Sequence, residues 1–302
     1  MKKRMSCLRI GIGFAGIIFL LVGCASTPTP APEVKQEASS SSPPSQPEKK
    51  AKTIILRIPR VTKVSVQFPD GTEDEYTLYT YSPDGKLLLK EELYDAASKD
   101  LLESREYLYQ GDLVIEKRTL DGQKKLKSRR VYQYTNGLLT EEAQFDKENL
   151  LQARLIYQYD AQNRKIEWKT LDASGSVVGM SKYYYNNNGG KAPIRTELYG
   201  PGGNLELVIS TTYTEGNKVL EVFASPNGTV EKEVVYRYDE KGRLLGQSEY
   251  SSAKAKLGSV AYEYPADASV PSREVRLDGR DKPRKVVVFE YAYREESKVI
   301  YE

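Results

Sequence analysis

The 302-residue chain has no histidine and two cysteines, Cys7 and Cys24, so the side chains that most often serve as general bases or activated nucleophiles are nearly absent. Any chemistry would have to come from carboxylates. Paired acids stand at Glu91-Glu92, Glu141-Glu142 and Glu231/Glu233, and two carboxyl groups held roughly 5 to 10 Å apart can cleave a glycosidic bond. These pairs recur in register with Lys and Arg, as on a solvated strand face, and the chain therefore reads as non-enzymatic. The Asp-Gly steps lack the closely spaced acidic ligands of a calcium loop, so neither a metal nor a cofactor is implied. "NGT" at 227–229 fits a glycosylation acceptor but is equally a hairpin turn. The single tryptophan, Trp168, has no assignable role from sequence.

The opening "MKKRMSCLR" carries four cations and no acid, and "IGIGFAGIIFLLV" follows it as an apolar run of 13 residues. Such a run is too short for a spanning helix of about 20 residues and suits the core of a signal peptide. It closes on "LVGC", which resembles the lipobox of bacterial lipoproteins. The resemblance implies that Leu21, Val22 and Gly23 are read by the signal peptidase, and that Cys24 takes the diacylglyceryl and palmitate-type chains as first residue of the mature protein. Ala25 and Ser26 follow in place of Asp, which in that family favours the outer membrane.

Removal of residues 1–23 takes Lys2, Lys3, Arg4 and Arg9 with it, and the formal charge falls from +3 to −1. The basicity belongs to the leader, and no electrostatic footprint for nucleic acid remains. Cys7 leaves too, which excludes disulfides, thiolate metal sites and cysteine nucleophiles from the mature chain. Residues 24–52 then form a lipidated cysteine and a Ser/Pro-rich disordered tether. Its r.m.s. span is roughly 30 Å, nearer 90 Å if drawn straight.

From residue 53 to 302, Tyr-x-Tyr or a near-copy recurs: Tyr79/Tyr81, Tyr107/Tyr109, Tyr132/Tyr134, Tyr157/Tyr159, Tyr183/Tyr185, Tyr213, Tyr236/Tyr238, Tyr262/Tyr264 and Tyr291/Tyr293. Successive second members lie 25 to 29 residues apart, which marks an internal repeat. A second landmark falls midway, as in Tyr94-Asp95, Leu120-Asp121, Phe145-Asp146, Leu171-Asp172 and Leu277-Asp278. Gly, Asn and Asp cluster after most landmarks and supply hairpin turns. Between turns, apolar and polar residues alternate, as expected for half-buried antiparallel strands. The count predicts an all-β meander of roughly 18 strands. Within it, Tyr107, Tyr109, Tyr132, Tyr134, Tyr157, Tyr159, Tyr236, Tyr238, Tyr262 and Tyr264 read as a cross-strand packing ladder with hydroxyls in water at the sheet margin.

"YRYDEKGRL" at 236–244, with weaker copies "YQYDAQNRK" at 157 and "YTYSPDGKL" at 79, resembles the YD repeats of RHS proteins, and the spacing is similar to shorter MORN-like repeats. The first resemblance implies hairpins wound into a spiral or shell and carries an association with carbohydrate binding. Pro59, Arg60 and Lys63 in the first strand and the charges of "YREESKVIYE" in the last are edge-blocking devices. They favour an open, twisted or spiral sheet, the alternative being a closed β-barrel. Charges such as Arg130 and Lys232 interrupt the apolar parity and argue against a lipid-facing barrel. The expected role is a membrane-tethered module meeting a protein or polysaccharide partner, with a periplasmic spacer or assembly scaffold as its rival.

Overall fold

The computed structural model describes residues 51–186 and 189–301. The lipobox residues Leu21 to Cys24 and most of the tether lie outside them. The chain divides into Met1–Lys50 and Ala51–Glu302, and only the second unit is described below.

Period-2 alternation between turn clusters produces eighteen strands. They are β1 (Ala51–Gln67), β2 (Glu73–Tyr81), β3 (Leu88–Asp95), β4 (Leu101–Gln110), β5 (Leu113–Asp121) and β6 (Leu126–Thr135). Next come β7 (Leu138–Asp146), β8 (Leu151–Tyr159), β9 (Lys165–Asp172), β10 (Val177–Tyr184), β11 (Arg195–Tyr199) and β12 (Leu205–Thr214). The last six are β13 (Asn217–Ala224), β14 (Val230–Tyr238), β15 (Leu244–Ser251), β16 (Lys256–Glu263), β17 (Arg273–Asp278) and β18 (Pro283–Tyr301). A 3-10 turn at Pro201–Gly203 interrupts the otherwise all-β order.

Every strand pairs antiparallel with its chain neighbours, and β18 pairs back onto β1 from Ala51↔Tyr301 to Gln67↔Val286. The sheet is therefore a closed eighteen-stranded barrel. This corrects the expectation of an open or spiral sheet, because the two strands read as protected edges are each other's partners. Their charges are complementary across the seam: Arg57 lies opposite Glu295, and the Lys63 ammonium sits 3.9 Å from Glu290.

Curvature comes from bulges. Register slips by one residue at Thr80/Tyr81, Leu108/Tyr109, Gln133/Tyr134, Gln158/Tyr159, Thr212/Tyr213 and Arg237/Tyr238. At the other end it slips at Leu93/Tyr94, Thr119/Leu120, Gln144/Phe145, Leu198/Tyr199, Glu249/Tyr250 and Arg276/Leu277. The sequence landmarks are thus bulge positions, and each bulge adds local twist and bend to its strand. Repeated at both rims, they roll the sheet until its ends meet.

Turn chemistry follows the expected composition with one reassignment. Asn136 and Gly137 take positive φ as a two-residue turn. In "LDGQKK", however, it is Lys124 that adopts φ 60°, while Gly122 is required because a Cβ there would run into the Leu101 carbonyl oxygen. "NGT" at 227–229 is a turn: the Asn227 side chain accepts the Thr229 N–H at 3.0 Å while Gly228 takes φ 87°.

Exposure separates the two faces. Leu78, Thr80, Leu102, Arg118, Lys127, Gln133, Gln152, Gln158, Thr212, Glu231 and Arg237 are exposed and share one parity around the ladder. That parity is the convex outside. Tyr107, Lys117, Arg130, Gln144 and Ala153 follow one another across the ladder on the opposite parity, the lumen side. Fully buried side chains are few and small, Ser104 and Ser181, as expected where a barrel of this strand number leaves a water-filled interior instead of a packed core.

Closure is checked by pairing two cysteines across the seam. With Cys7 and Cys24 replaced by Ala, Ser65→Cys and Val288→Cys, which are register partners, should form an intramolecular disulfide under mild oxidation. An open sheet would keep these positions far apart and leave two free thiols.

Candidate functional site in the tyrosine-lined lumen

The second tyrosine of a repeat stands at or just past the end of an even-numbered strand, with Tyr291 inside the long β18, and its hydroxyl donates to a carbonyl near the start of the preceding strand. Tyr109 donates to Leu88 O at 2.7 Å, Tyr134 to Val114 O at 2.9 Å and Tyr159 to Leu139 O at 2.9 Å. The series continues with Tyr185 to Lys165 O at 2.6 Å, Tyr213 to Pro193 O at 3.2 Å, Tyr238 to Lys218 O at 3.0 Å and Tyr264 to Leu244 O at 2.9 Å. Tyr291 completes it on Pro271 O at 2.8 Å. These hydroxyls face carbonyls of the protein and not the water expected at a sheet margin. Six of these carbonyls lie beside a bulge, which takes backbone groups out of the ladder, and a phenol from the next strand meets them there; Pro193 and Pro271 instead precede strands paired without a bulge. The geometry also reframes the last repeat: Phe289 and Tyr291 take the two positions, with rings stacked at 6.4 Å, and Tyr293 lies beyond them.

"YDxxxR" adds a second tie at the same rim. Asp160 Oδ1 accepts the N–H groups of Gln162 and Arg164, its Oδ2 holds Arg164 Nε at 2.7 Å, and that guanidinium lies 4.4 Å over the Tyr185 ring. Asp239 and Arg243 repeat the arrangement, with Arg243 4.7 Å over Tyr264 and donating to Ala268 O at 2.9 Å. Each motif thus joins a turn to the next repeat.

First members point into the lumen among charges. Tyr107 donates to Glu91 at 2.7 Å, where Arg105 also binds at 3.1 Å, and Lys117 lies 5.4 Å over the Tyr107 ring. Tyr236 donates to Glu221, under Lys218 at 4.4 Å. Trp168 stands opposite Tyr157, and its Nε1 donates to the Tyr183 hydroxyl at 2.9 Å, which gives the tryptophan a place in the lumen wall. Burial pushes the phenols of Tyr79, Tyr132, Tyr157, Tyr262 and Tyr291 up to about 12. Burial likewise lowers the ammonium pKa of Lys117 and Lys165.

The carboxylate pairs do not assemble into a hydrolytic couple. Adjacent members point to opposite faces: Glu91 is inward in the Tyr107 cluster and Glu92 outward against Lys90 at 2.9 Å. Glu142 is inward and held by Arg130 at 2.8 Å, while Glu141 is outward and paired with Arg154 at 3.2 Å. On the outer face, Glu197 is buried, which pushes its carboxyl up, but the hydroxyls of Tyr184 and Tyr199 and the Arg195 guanidinium more than offset this and hold it at about 2. Sequence reading passed over this cluster, because Tyr184 and Tyr199 lie off the Tyr-x-Tyr spacing. No group of three or more His, Cys, Asp or Glu side chains able to hold a metal occurs among the described residues. At the tyrosine rim a recess of about 380 Å³ opens between Asp160, Arg164, Tyr183, Tyr185 and Asn186.

No family model and no curated protein matches the sequence. Among solved structures the chain is similar to a porin-like protein from Bacteroides uniformis at 10% identity and TM-score 0.40, covering 77% of this chain and 98% of that one. A porin-like protein from Bacteroides vulgatus matches at 15% identity and TM-score 0.22, over 77% and 98%. The TcdB2–TccC3 structure matches at 10% identity and TM-score 0.18, over 71% of this chain and 15% of that one. At these scores none bears on function, and closure is read directly from the strand ladder.

Tyr159→Phe removes one rim hydroxyl and leaves a bulge carbonyl unpaired, and it should lower stability by about 1 kcal/mol, read as a shift in denaturant midpoint at unchanged slope. The raised tyrosine pKa values set an alkaline limit. The folded state holds these phenols neutral, so their contribution is complete below the unfolded value of about 10 and is lost as pH climbs through about 12. Tyr132→Phe should flatten that decline relative to the parent in melts recorded across the window.

Proposed function

We infer that the chain is a lipid-tethered protein of the bacterial envelope whose closed barrel stands in water as a non-enzymatic scaffold or spacer. The observation that carries this reading is the charge on the outward parity. Lys63, Lys90, Arg118, Arg129, Glu141, Arg154, Lys169, Arg195, Glu233 and Arg273 belong to strands spread round the whole circumference. A lipid-facing belt would bear roughly 2 to 4 kcal/mol for each Lys or Arg near its midplane, which the eight cations among these positions make untenable. Neither parity of the sheet is an apolar belt.

Support for the scaffold over an open interaction surface comes from closure. Rolling the sheet removes the long flat face that a protein or polysaccharide partner was expected to meet, and leaves a convex exterior and a lumen whose named charges meet carboxylates, guanidinium groups, phenols or aromatic rings. The lipobox supplies the tether, and residues between Cys24 and Ala51 set its reach.

Two measurements test the reading. Cys24→Ala should block acylation and leave a heavier precursor; processing to the parent mass with retention in the detergent phase would overturn the lipid anchor. A chain lacking residues 1–24 should remain in the aqueous phase of a detergent partition, and a requirement for detergent would overturn the water-clad barrel.

A further inference from the structure

The seam strands outrun the barrel. β1 meets β2 only from Lys63 onward, and β18 meets β17 only as far as Val288, with Phe289 N–H still bonding Ser272 O. Residues 51–61 and 291–301 therefore pair only with one another, as a ribbon rising from the tyrosine rim. At about 3.3 Å per residue the ribbon is roughly 35 Å long. It exposes Ile55 at 63%, Val299 at 52%, Tyr293 at 45% and Leu56 at 38%. A two-stranded ribbon with open edges is marginal in water and is a template for further strand pairing.

The two edges are not equivalent. On β1, Pro59 has no N–H to offer, and Arg60 turns back to the Gly85 carbonyl at 2.8 Å. Its remaining ribbon charges are all cationic, so pairing with its own copy finds no opposite charge. The β18 edge carries both signs in the order Arg294, Glu295, Glu296, Ser297, Lys298.

An antiparallel pair of identical strands about a two-fold axis normal to the sheet must have a residue on the axis, because opposite residues share a face. An axis on Glu295 or Glu296 sets two carboxylates against each other, and the second also opposes Arg294 to Lys298. An axis on Lys298 opposes two ammonium groups. With Ser297 on the axis, Glu296, which Arg294 of its own chain already holds at 2.7 Å, also faces Lys298 of the second copy, and the same pair recurs on the other side. That register also fits residues 293–301 wholly within the free edge, and axes farther out shorten the overlap. Unlike charges directly opposite stabilise a strand pair, whereas like charges oppose it.

We propose that two copies of this chain pair antiparallel through residues 293–301 of β18, with Ser297 on the two-fold axis. The result is a four-stranded sheet, β1-β18-β18-β1, with the two barrels at opposite ends and out of each other's way. The pairing extends the scaffold reading to an assembled pair but rests on the ribbon alone, so its failure leaves the lipid tether untouched.

The test uses the full chain in detergent, with Cys7 and Cys24 replaced by Ala, examined by light scattering after size exclusion and by oxidative crosslinking. A dimer is expected, with Ser297→Cys giving a crosslinked dimer and Ala292→Cys little. Glu296→Lys alone and Lys298→Glu alone should each raise the dimer dissociation constant at least tenfold, and the exchanged pair E296K/K298E should restore it. Restoration by the exchange separates register from unfolding. A monomer at all concentrations, a dimer indifferent to the single changes, equal crosslinking at 292 and 297, or assemblies larger than two would each overturn the proposal.

Discussion

The curvature of this wall rests on the bulges that recur along its hairpins and on the phenols that reach across to most of them. A bulge bends a strand but strands a carbonyl, and a bend repeated at both rims is what converts a meander into a closed wall. Tyrosine is the residue that can serve there. Its hydroxyl extends far enough to meet a carbonyl on the neighbouring strand, as Tyr134 does with Val114. The Asp-Arg pairs at 160/164 and 239/243 stiffen two of the adjoining turns. Period, curvature and polar satisfaction are three aspects of one contact.

That contact explains which parts of the structure were legible in the residues. Strand number and turn positions follow from local alternation and local turn chemistry, and the eighteen strands fall where the landmarks place them. Closure was not legible, because it depends on pairing residue 51 with residue 301, a relation that no local pattern encodes. The same charges on β1 and β18 serve equally well as edge guards and as complementary partners, and only the accumulated bend decides between them. Bulges were hidden because a Tyr-x-Tyr step has the same period as an unbroken strand. Adjacent acids misled in a smaller way: Glu91-Glu92 reads as one solvated face, but neighbours in a strand necessarily point to opposite sides of the wall.

The lumen differs from a hydrophobic core in how it is held. Its wall combines aromatic rings with carboxylates and cations that partner neighbours on the same or the adjacent strand, as in the Glu91, Arg105, Tyr107 and Lys117 group. Such a lining tolerates water and resists collapse, because its groups are partnered within the wall and not across the interior. The pairs are partly exposed and individually weak. Rigidity therefore comes from repetition around the ring, with every strand tied to two others.

Closure by the outermost strands also governs when the barrel can exist. A chain that emerges N-terminus first presents β1 first, yet β1 cannot complete its ladder until residues 283–301 have emerged. Hairpins can form in succession as they appear, since each depends on contacts about 20 residues apart, but the ring stays an incomplete arc until the end. Sequence-distant pairing of this kind is slow and leaves an unpaired edge open to misassociation. The proline and cations of β1 then act in time as well as in space, holding off wrong strands during the interval before the right one arrives.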